Sequence, residues 1–147
     1  MTPSDRLAEL AEGRNPGLIA RLPSGFLVMG NYQFLGGYCL LLAYPIVEKL
    51  NDLPDEPRAQ FLSDMARAGD AVLAATGCRR INYSIYGNLD PFLHAHIWPR
   101  YDDEDERYRT IPPFLIPAEV REASEHGFDP EKHSVLMEQI RKAILSA

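Results

Sequence analysis

Two histidines, His94 and His96, stand one residue apart in the segment Pro91-Phe92-Leu93-His94-Ala95-His96-Ile97-Trp98-Pro99-Arg100-Tyr101. Imidazole is the side chain best suited to proton transfer, nucleophilic attack or metal ligation near neutral pH. Successive side chains of a strand point to opposite faces, so residues at even spacing line one side. Phe92, His94, His96 and Trp98 then share one face, and Leu93, Ala95 and Ile97 share the other. The second set is apolar and compact, as a core-facing strand requires. The first set presents two imidazoles flanked by aromatic rings.

Three kinds of chemistry fit such a pair. A metal site is the first, but structural zinc needs four ligands and catalytic zinc commonly three. The other histidines, His126 and His133, lie in a late polar region with no spacing that suggests convergence. A metal-dependent enzyme is therefore the less favoured alternative, and no residue is assigned as a metal ligand. The second is nucleophilic catalysis, in which one imidazole attacks phosphorus while its neighbour steadies charge. The third is plain packing, with both rings satisfied as polar residues of a half-buried strand. Two histidines in register, preceded by Gly87-Asn88 and followed by Pro99-Arg100, favour chemistry over packing.

The pair needs a scaffold. Ser4, Leu7, Leu10 and Ala11 have the spacing of a short capped helix that stops near Gly13. Leu18 to Leu22 and Phe26 to Met29 read as two short strands around a Pro23-Ser24-Gly25 turn. Gly36-Gly37 supplies a turn before Tyr38 to Ala43, an apolar run short enough for a central strand. Pro54 and Pro57 bracket the entry to the longest helix, which runs to about Thr76. Phe61, Leu62, Met65, Ala68, Val72 and Leu73 give it one buried stripe, and Gly77 ends it. Ile81, Tyr83 and Ile85 alternate with polar residues as a further strand, and Phe92 to Trp98 follows, with Pro99 as its stop. The Asp102-Asp103-Glu104-Asp105-Glu106 run reads as a solvated loop, and Ile111-Pro112-Pro113-Phe114 as irregular chain. A last amphipathic helix is expected from about Pro130 to Ile144. Strands joined by short turns, with one long helix among them, indicate an antiparallel α+β domain.

Composition narrows the function. The 147 residues fit one domain, 1–147, able to bury a respectable core, and 46% hydrophobic with 24% charged residues is ordinary for a globular protein. A formal charge of -6 argues against a nucleic-acid polymer as partner, although a few local donors can still hold a small anion. No apolar run approaches the roughly 20 residues that span a bilayer, so no membrane partner is expected. The start, Met-Thr-Pro-Ser-Asp-Arg, lacks the basic-then-apolar order of a secretory signal. Cys39 and Cys78 have no metal-ligand spacing, and two reduced thiols in a cytoplasmic protein are the expectation.

Asn82-Tyr83-Ser84-Ile85-Tyr86-Gly87-Asn88, followed by Leu93-His94-Ala95-His96-Ile97-Trp98-Pro99-Arg100-Tyr101, resembles the signature of the histidine triad (HIT) family of nucleotidyl hydrolases and transferases. That signature is His-x-His-x-His-x-x, often followed by Pro-Arg-Tyr or Pro-Arg-Phe in bacterial members. Anchored on Pro99-Arg100, His94 takes the place of the middle histidine and His96 that of the third. Asn31-Tyr32-Gln33-Phe34, Gly37-Tyr38-Cys39-Leu40-Leu41-Leu42 and the helix after them follow the same order. The likeness covers about residues 20–101, leaving 102–147 as a C-terminal extension.

The resemblance implies an antiparallel sheet of about five strands with one long helix and additional short and C-terminal helices. It also implies a nucleotide as small-molecule ligand, no cofactor, and a homodimer. His94 would attack the α-phosphate of a nucleoside phosphate, phosphoramidate or dinucleoside polyphosphate to form a nucleotidyl-imidazole, which water or another acceptor resolves. His96 would hydrogen-bond the phosphoryl oxygens or leaving group. Asn82, Asn88 and Arg100 would contact phosphate and Asn31 ribose hydroxyls, with turn chemistry the alternative for the three asparagines. Phe92 and Trp98 could give stacking surface to a base, although buried aromatic packing is the role favoured for both. Arg100 could equally pair with the acidic stretch beyond it. The departure is Phe92, which stands where the family has its first histidine. A slower or differently selective hydrolase follows from that loss, or a nucleotide-binding module without turnover, because such residues act as a unit.

Overall fold

The computed structural model describes residues 3–146. Its strands are β1 (Leu18–Leu22), β2 (Gly25–Met29), β3 (Cys39–Ala43), β4 (Arg80–Ser84) and β5 (His94–Arg100). Helix α1 (Pro3–Ala11) precedes them, α2 (Asp55–Thr76) joins β3 to β4, and α3 (Ala118–Arg121) and α4 (Ser134–Leu145) follow β5. The strands form one sheet in the order β1-β2-β3-β5-β4, with every neighbouring pair antiparallel. This is the α+β architecture the sequence led us to expect.

Period-two patterning sorts the sheet into two faces. On one, Leu27, Leu41, Ala95 and Ile97 pack with Phe61, Ala68 and Val72 of α2 and with Met137, Ile140 and Ile144 of α4. On the other, Phe26, Leu42 and His94 fall in one row across three strands, and Val28, Leu40, His96 and Ser84 in the next. Helix α1 covers part of this second face by setting Leu7 and Leu10 against Phe26, Val28, Leu42 and Phe92. Asp64, fully buried in α2, accepts hydrogen bonds from Ser24 N and Oγ at 2.9 and 2.6 Å, pinning the β1–β2 turn to the long helix. Gly77, in the left-handed conformation at φ 66, terminates α2 where the sequence places its end. Among the described residues no helix is long and apolar enough to cross a membrane. Both cysteines are free and buried.

Several local expectations need correction. β5 begins at His94 instead of Phe92, and Pro99 does not stop it: the strand runs on to Arg100. Pairing with β3 has already ended at Cys39↔Ile97, so Pro99 pairs only with Ile81 of β4 and its missing N–H breaks no ladder. The acidic run is not wholly solvated, because Glu104 is drawn into a largely buried ion pair with Arg100. Helix α4 starts at Ser134, not Pro130; the Asp129 carboxylate ties up the N–H groups of Glu131 and Lys132 in a turn ahead of it. Helix α1 starts at Pro3, one residue before its expected cap Ser4, whose side chain lies outside the described residues.

Candidate functional site

His94 and His96 open onto one cavity of about 250 Å³ on the α1 side of the sheet. Both are mostly enclosed, each 8% exposed, and their rings meet edge to face with centroids 5.1 Å apart. Nδ1 of His94 lies 2.8 Å from the carbonyl oxygen of Phe92, which can only accept. In the neutral ring this hydrogen bond fixes the proton on Nδ1 and leaves the lone pair on Nε2. That Nε2 makes no hydrogen bond within the described residues and is open to the cavity.

His96 is held in the opposite sense. Its Nδ1 lies 2.7 Å from the hydroxyl of Tyr38, at the entry to β3. Burial, above all, pushes the Tyr38 hydroxyl well above the ordinary phenol range, so it stays a proton donor. Burial first and the neighbouring His94 second bring His96 down to about 4, so its ring is neutral near pH 7. No other acceptor among the described residues takes the Tyr38 proton. The hydroxyl accordingly donates to Nδ1, and His96 turns an Nε2–H toward the cavity. Adjacent rings thus present a nucleophilic lone pair and a fixed donor.

The elements explain why this arrangement holds. Gln33 is buried and bridges the loop before β3: its amide donates to the carbonyls of Gly30 and Tyr38 and accepts from Gly37 N at 3.0 Å. A Cβ on Gly30 would fall on ring atoms of Tyr38, so only glycine leaves room for that ring. Trp98 stacks on Tyr38 with centroids 3.9 Å apart and donates its indole N–H to Ser84 Oγ at 2.9 Å. Phe114, from the segment before α3, stands edge-on to His96 and Trp98. Tyr86 contacts both His96 and Phe114.

The expected site residues do not all meet at this cavity. Asn31 rims it. Phe92 and Trp98 also line it, but at 4% and 2% exposure they are packed into the fold, and neither offers an open ring face to a base. Phe92 belongs to the apolar cluster under α1, with its ring 4.6 Å from that of His94. The most exposed rings at the cavity are instead Tyr32 and Phe114. Asn88 is exposed on the β4–β5 loop and is not part of the lining, although Asp90 of that loop is.

Asn82 and Arg100 lie away from the cavity and bind each other. Arg100 donates to Asn82 Oδ1 at 2.9 Å, to the Glu104 carboxylate, and to the carbonyls of Tyr108 and Ile111. Its guanidinium is committed to holding the 104–111 chain against β4 and β5, as pairing with the acidic stretch requires, and no donor is left for phosphate at His94. These two residues face a separate hollow of about 650 Å³. Sequence reasoning missed Tyr38, Phe114, Arg6 and Arg121, which do line the His94 cavity. Only the aromatic character of Tyr38 and Phe114 gives any local hint. Among the described residues no three His, Cys, Asp or Glu side chains cluster as a metal site would require.

No family model matches the chain, and no curated protein matches it. Solved structures do. A histidine triad protein from Bradyrhizobium japonicum is similar at 23% identity and a TM-score of 0.70, over 86% of this chain and 89% of that one. A histidine triad protein from Sinorhizobium meliloti 1021 superposes at a TM-score of 0.72 and 17% identity, over 86% of this chain and 87% of that one. A hypothetical histidine triad nucleotide-binding protein from Sulfolobus tokodaii gives 0.71 at 14% identity, over 95% and 91%. The chain has the histidine triad fold.

Proposed function

We propose that this histidine triad fold binds a nucleoside phosphate in the His94 cavity and transfers its nucleotidyl group through His94. The reading rests on one observation: Nδ1 of His94 is bonded to the Phe92 carbonyl and Nδ1 of the adjacent His96 to the Tyr38 hydroxyl, so the two neutral rings offer a lone pair and a proton, respectively, from Nε2. In the forward step the His94 lone pair forms an N–P bond to the α-phosphorus. The bond from phosphorus to the leaving group breaks, and its electron pair departs with that group. Water, or another acceptor, then attacks the nucleotidyl-imidazole and releases its proton to solvent; the N–P bond breaks and Nε2 of His94 recovers its lone pair. His96 holds a phosphoryl oxygen by its Nε2–H, a donor already oriented before charge develops. Asn31 at the rim reaches ribose hydroxyls, and the rings of Tyr32 and Phe114 take the base.

The test is turnover of adenosine phosphoramidate and of diadenosine polyphosphates by wild type and His94→Ala. Formation of AMP by wild type from at least one of these substrates, with a loss of about a hundredfold or more in the variant, is the expected result. Equal rates would remove His94 from the chemistry.

Phe92 favours a second reading, a nucleotide-binding module without turnover, since the first triad position is a core residue in this fold. Calorimetric binding of AMP with no product from any of these substrates is the result that selects it. Pairing of two copies is also proposed: β4 is an edge strand with one side unpaired, and light scattering reads the mass directly.

A further inference from the structure

Two guanidinium groups reach the cavity from opposite ends of the chain. Arg6 comes from α1 and Arg121 from the end of α3, and both line the space onto which His94 and His96 open. Neither makes an ion pair among the described residues. Asp90 and Glu122 line the same cavity, but neither comes within ion-pair distance of a guanidinium, so no contact quenches the charge. Arg121 is held in place: its Nε donates to the Ile116 carbonyl at 2.8 Å, and its guanidinium lies over the Phe114 ring, 5.6 Å from the centroid. Neither contact uses the terminal nitrogens of that fork, which stay free for a ligand. Both arginines are close enough to act electrostatically on the Tyr38 hydroxyl, which is itself bonded to His96.

Phe92 belongs to this arrangement. It packs on Leu7 and Leu10, the residues that seat α1 on the sheet, and Arg6 adjoins Leu7. The side chain that displaces the first imidazole therefore anchors the helix that delivers a cation. Such a site lacks an evident proton for the leaving group. His96 is neutral, and giving up its Nε2 proton would need a compensating proton from a phenol that burial holds protonated. An amine leaving group needs that proton. A phosphate leaving group does not: it departs as an anion and needs positive charge to receive it.

We propose that Arg6 and Arg121 form an anion clamp for the phosphates beyond the α-phosphate, making the substrate a nucleoside carrying two or more phosphates whose leaving group departs as a phosphate anion. The P–O bond to the β-phosphate breaks as the His94 N–P bond forms, and the electron pair remains on the departing phosphate oxygen. This proposal rests on the nucleotide reading of the His94 cavity.

The experiment titrates AMP, ADP, ATP and inorganic tripolyphosphate into wild type, Arg6→Ala, Arg121→Ala and Arg121→Lys, with circular dichroism melts to confirm folding. Wild type should bind ADP and ATP about tenfold or more tightly than AMP, as charge-assisted bonds to extra phosphates would give. Each alanine variant should lose about tenfold more for ADP and ATP than for AMP, and Arg121→Lys should recover part of that loss. Equal affinity for all three nucleotides in wild type, or an equal loss for all three in the variants, overturns the clamp. Absence of AMP binding counts against the nucleotide reading, and tripolyphosphate then decides the clamp alone: binding weakened by either alanine substitution supports it, and unchanged binding overturns it.

Discussion

The hydroxyl of Tyr38 lies 2.7 Å from Nδ1 of His96, and this contact decides what the neighbouring histidine can do. Tyr38 sits 58 residues earlier in the chain and is buried between its loop and Trp98. A neutral imidazole has one donor and one acceptor nitrogen, so occupying Nδ1 with an O–H sends the ring proton to Nε2. Tyr38 is thus a positioning residue that acts through His96.

Replacing Tyr38 by phenylalanine tests that role. The ring and its stack on Trp98 survive, but Nδ1 loses its donor and the tautomer is no longer imposed. We expect a fall in kcat of about tenfold or more, short of the roughly hundred- to thousandfold that outright loss of an oriented donor causes. Stability should fall by about 1–2 kcal/mol, from the unsatisfied nitrogen. Nitrogen NMR of the imidazoles distinguishes this from a packing defect: Nε2–H in wild type should become a mixture in Tyr38→Phe. An unchanged tautomer with reduced kcat would refute the positioning role.

His96 also imprints a pH dependence on stability. Burial brings it from its ordinary 6.5 down to about 4. Between those values the unfolded chain binds a proton at this residue and the folded chain does not. Stability therefore rises with pH across the window, is complete above about pH 6.5 and is progressively lost toward pH 4. The contribution is at most about 3 kcal/mol. Denaturant melts at pH 7.5, 5.5 and 4.5 should show wild type losing more than His96→Gln over that range. Parallel curves for the two proteins would contradict the assignment.

Arg100 separates the structure from the family-based expectation. The Pro-Arg pair after the histidines suggests a phosphate contact, whereas Arg100 is buried and bound to Glu104, Asn82 and three backbone carbonyls. Arg100→Gln should cost about 3–5 kcal/mol, because it leaves the enclosed Glu104 carboxylate without its partner. Glu104→Gln should cost less, since a neutral amide can still accept from the guanidinium. At a temperature where each variant is folded, kcat should stay within about twofold of wild type. A selective loss of turnover at full stability would restore Arg100 to the active site.

What the sequence disclosed and what it concealed differ in range. The face shared by His94 and His96 follows from the two-residue period of a strand, a local property, and the structure places both rings on one cavity. Phe61, Ala68 and Val72 of the α2 stripe and its Gly77 stop are local in the same way, whereas Leu62 and Leu73, expected in the same buried stripe, lie exposed. Tyr38, Phe114 and Arg121 reach the histidines only because distant segments fold back over the sheet, and no local period encodes that return. Asn82 and Arg100 depart from expectation for the converse reason. They share the histidine-bearing face of the sheet, but Asn82 pairs with Trp98 and Arg100 lies beyond it, where the acidic run competes for the guanidinium.

Phe92 offers the sharpest contest between the family pattern and the fold. If the position were an empty seat for a third imidazole, Phe92→His should raise turnover without harming the protein. The structure argues otherwise, since Phe92 is buried against Leu7, Leu10, Phe26, Val28 and Leu42. An imidazole there forfeits apolar contact and buries a polar group with no partner in the cluster. The expected cost is about 2–4 kcal/mol. Loosening of α1 should also shift Arg6, so turnover of diadenosine polyphosphate should fall rather than rise. Thermal melts and steady-state rates on the same preparation check both halves. A large gain in rate with an unchanged melting temperature would show that Phe92 merely fills a catalytic vacancy, and that the packing of α1 does not depend on it.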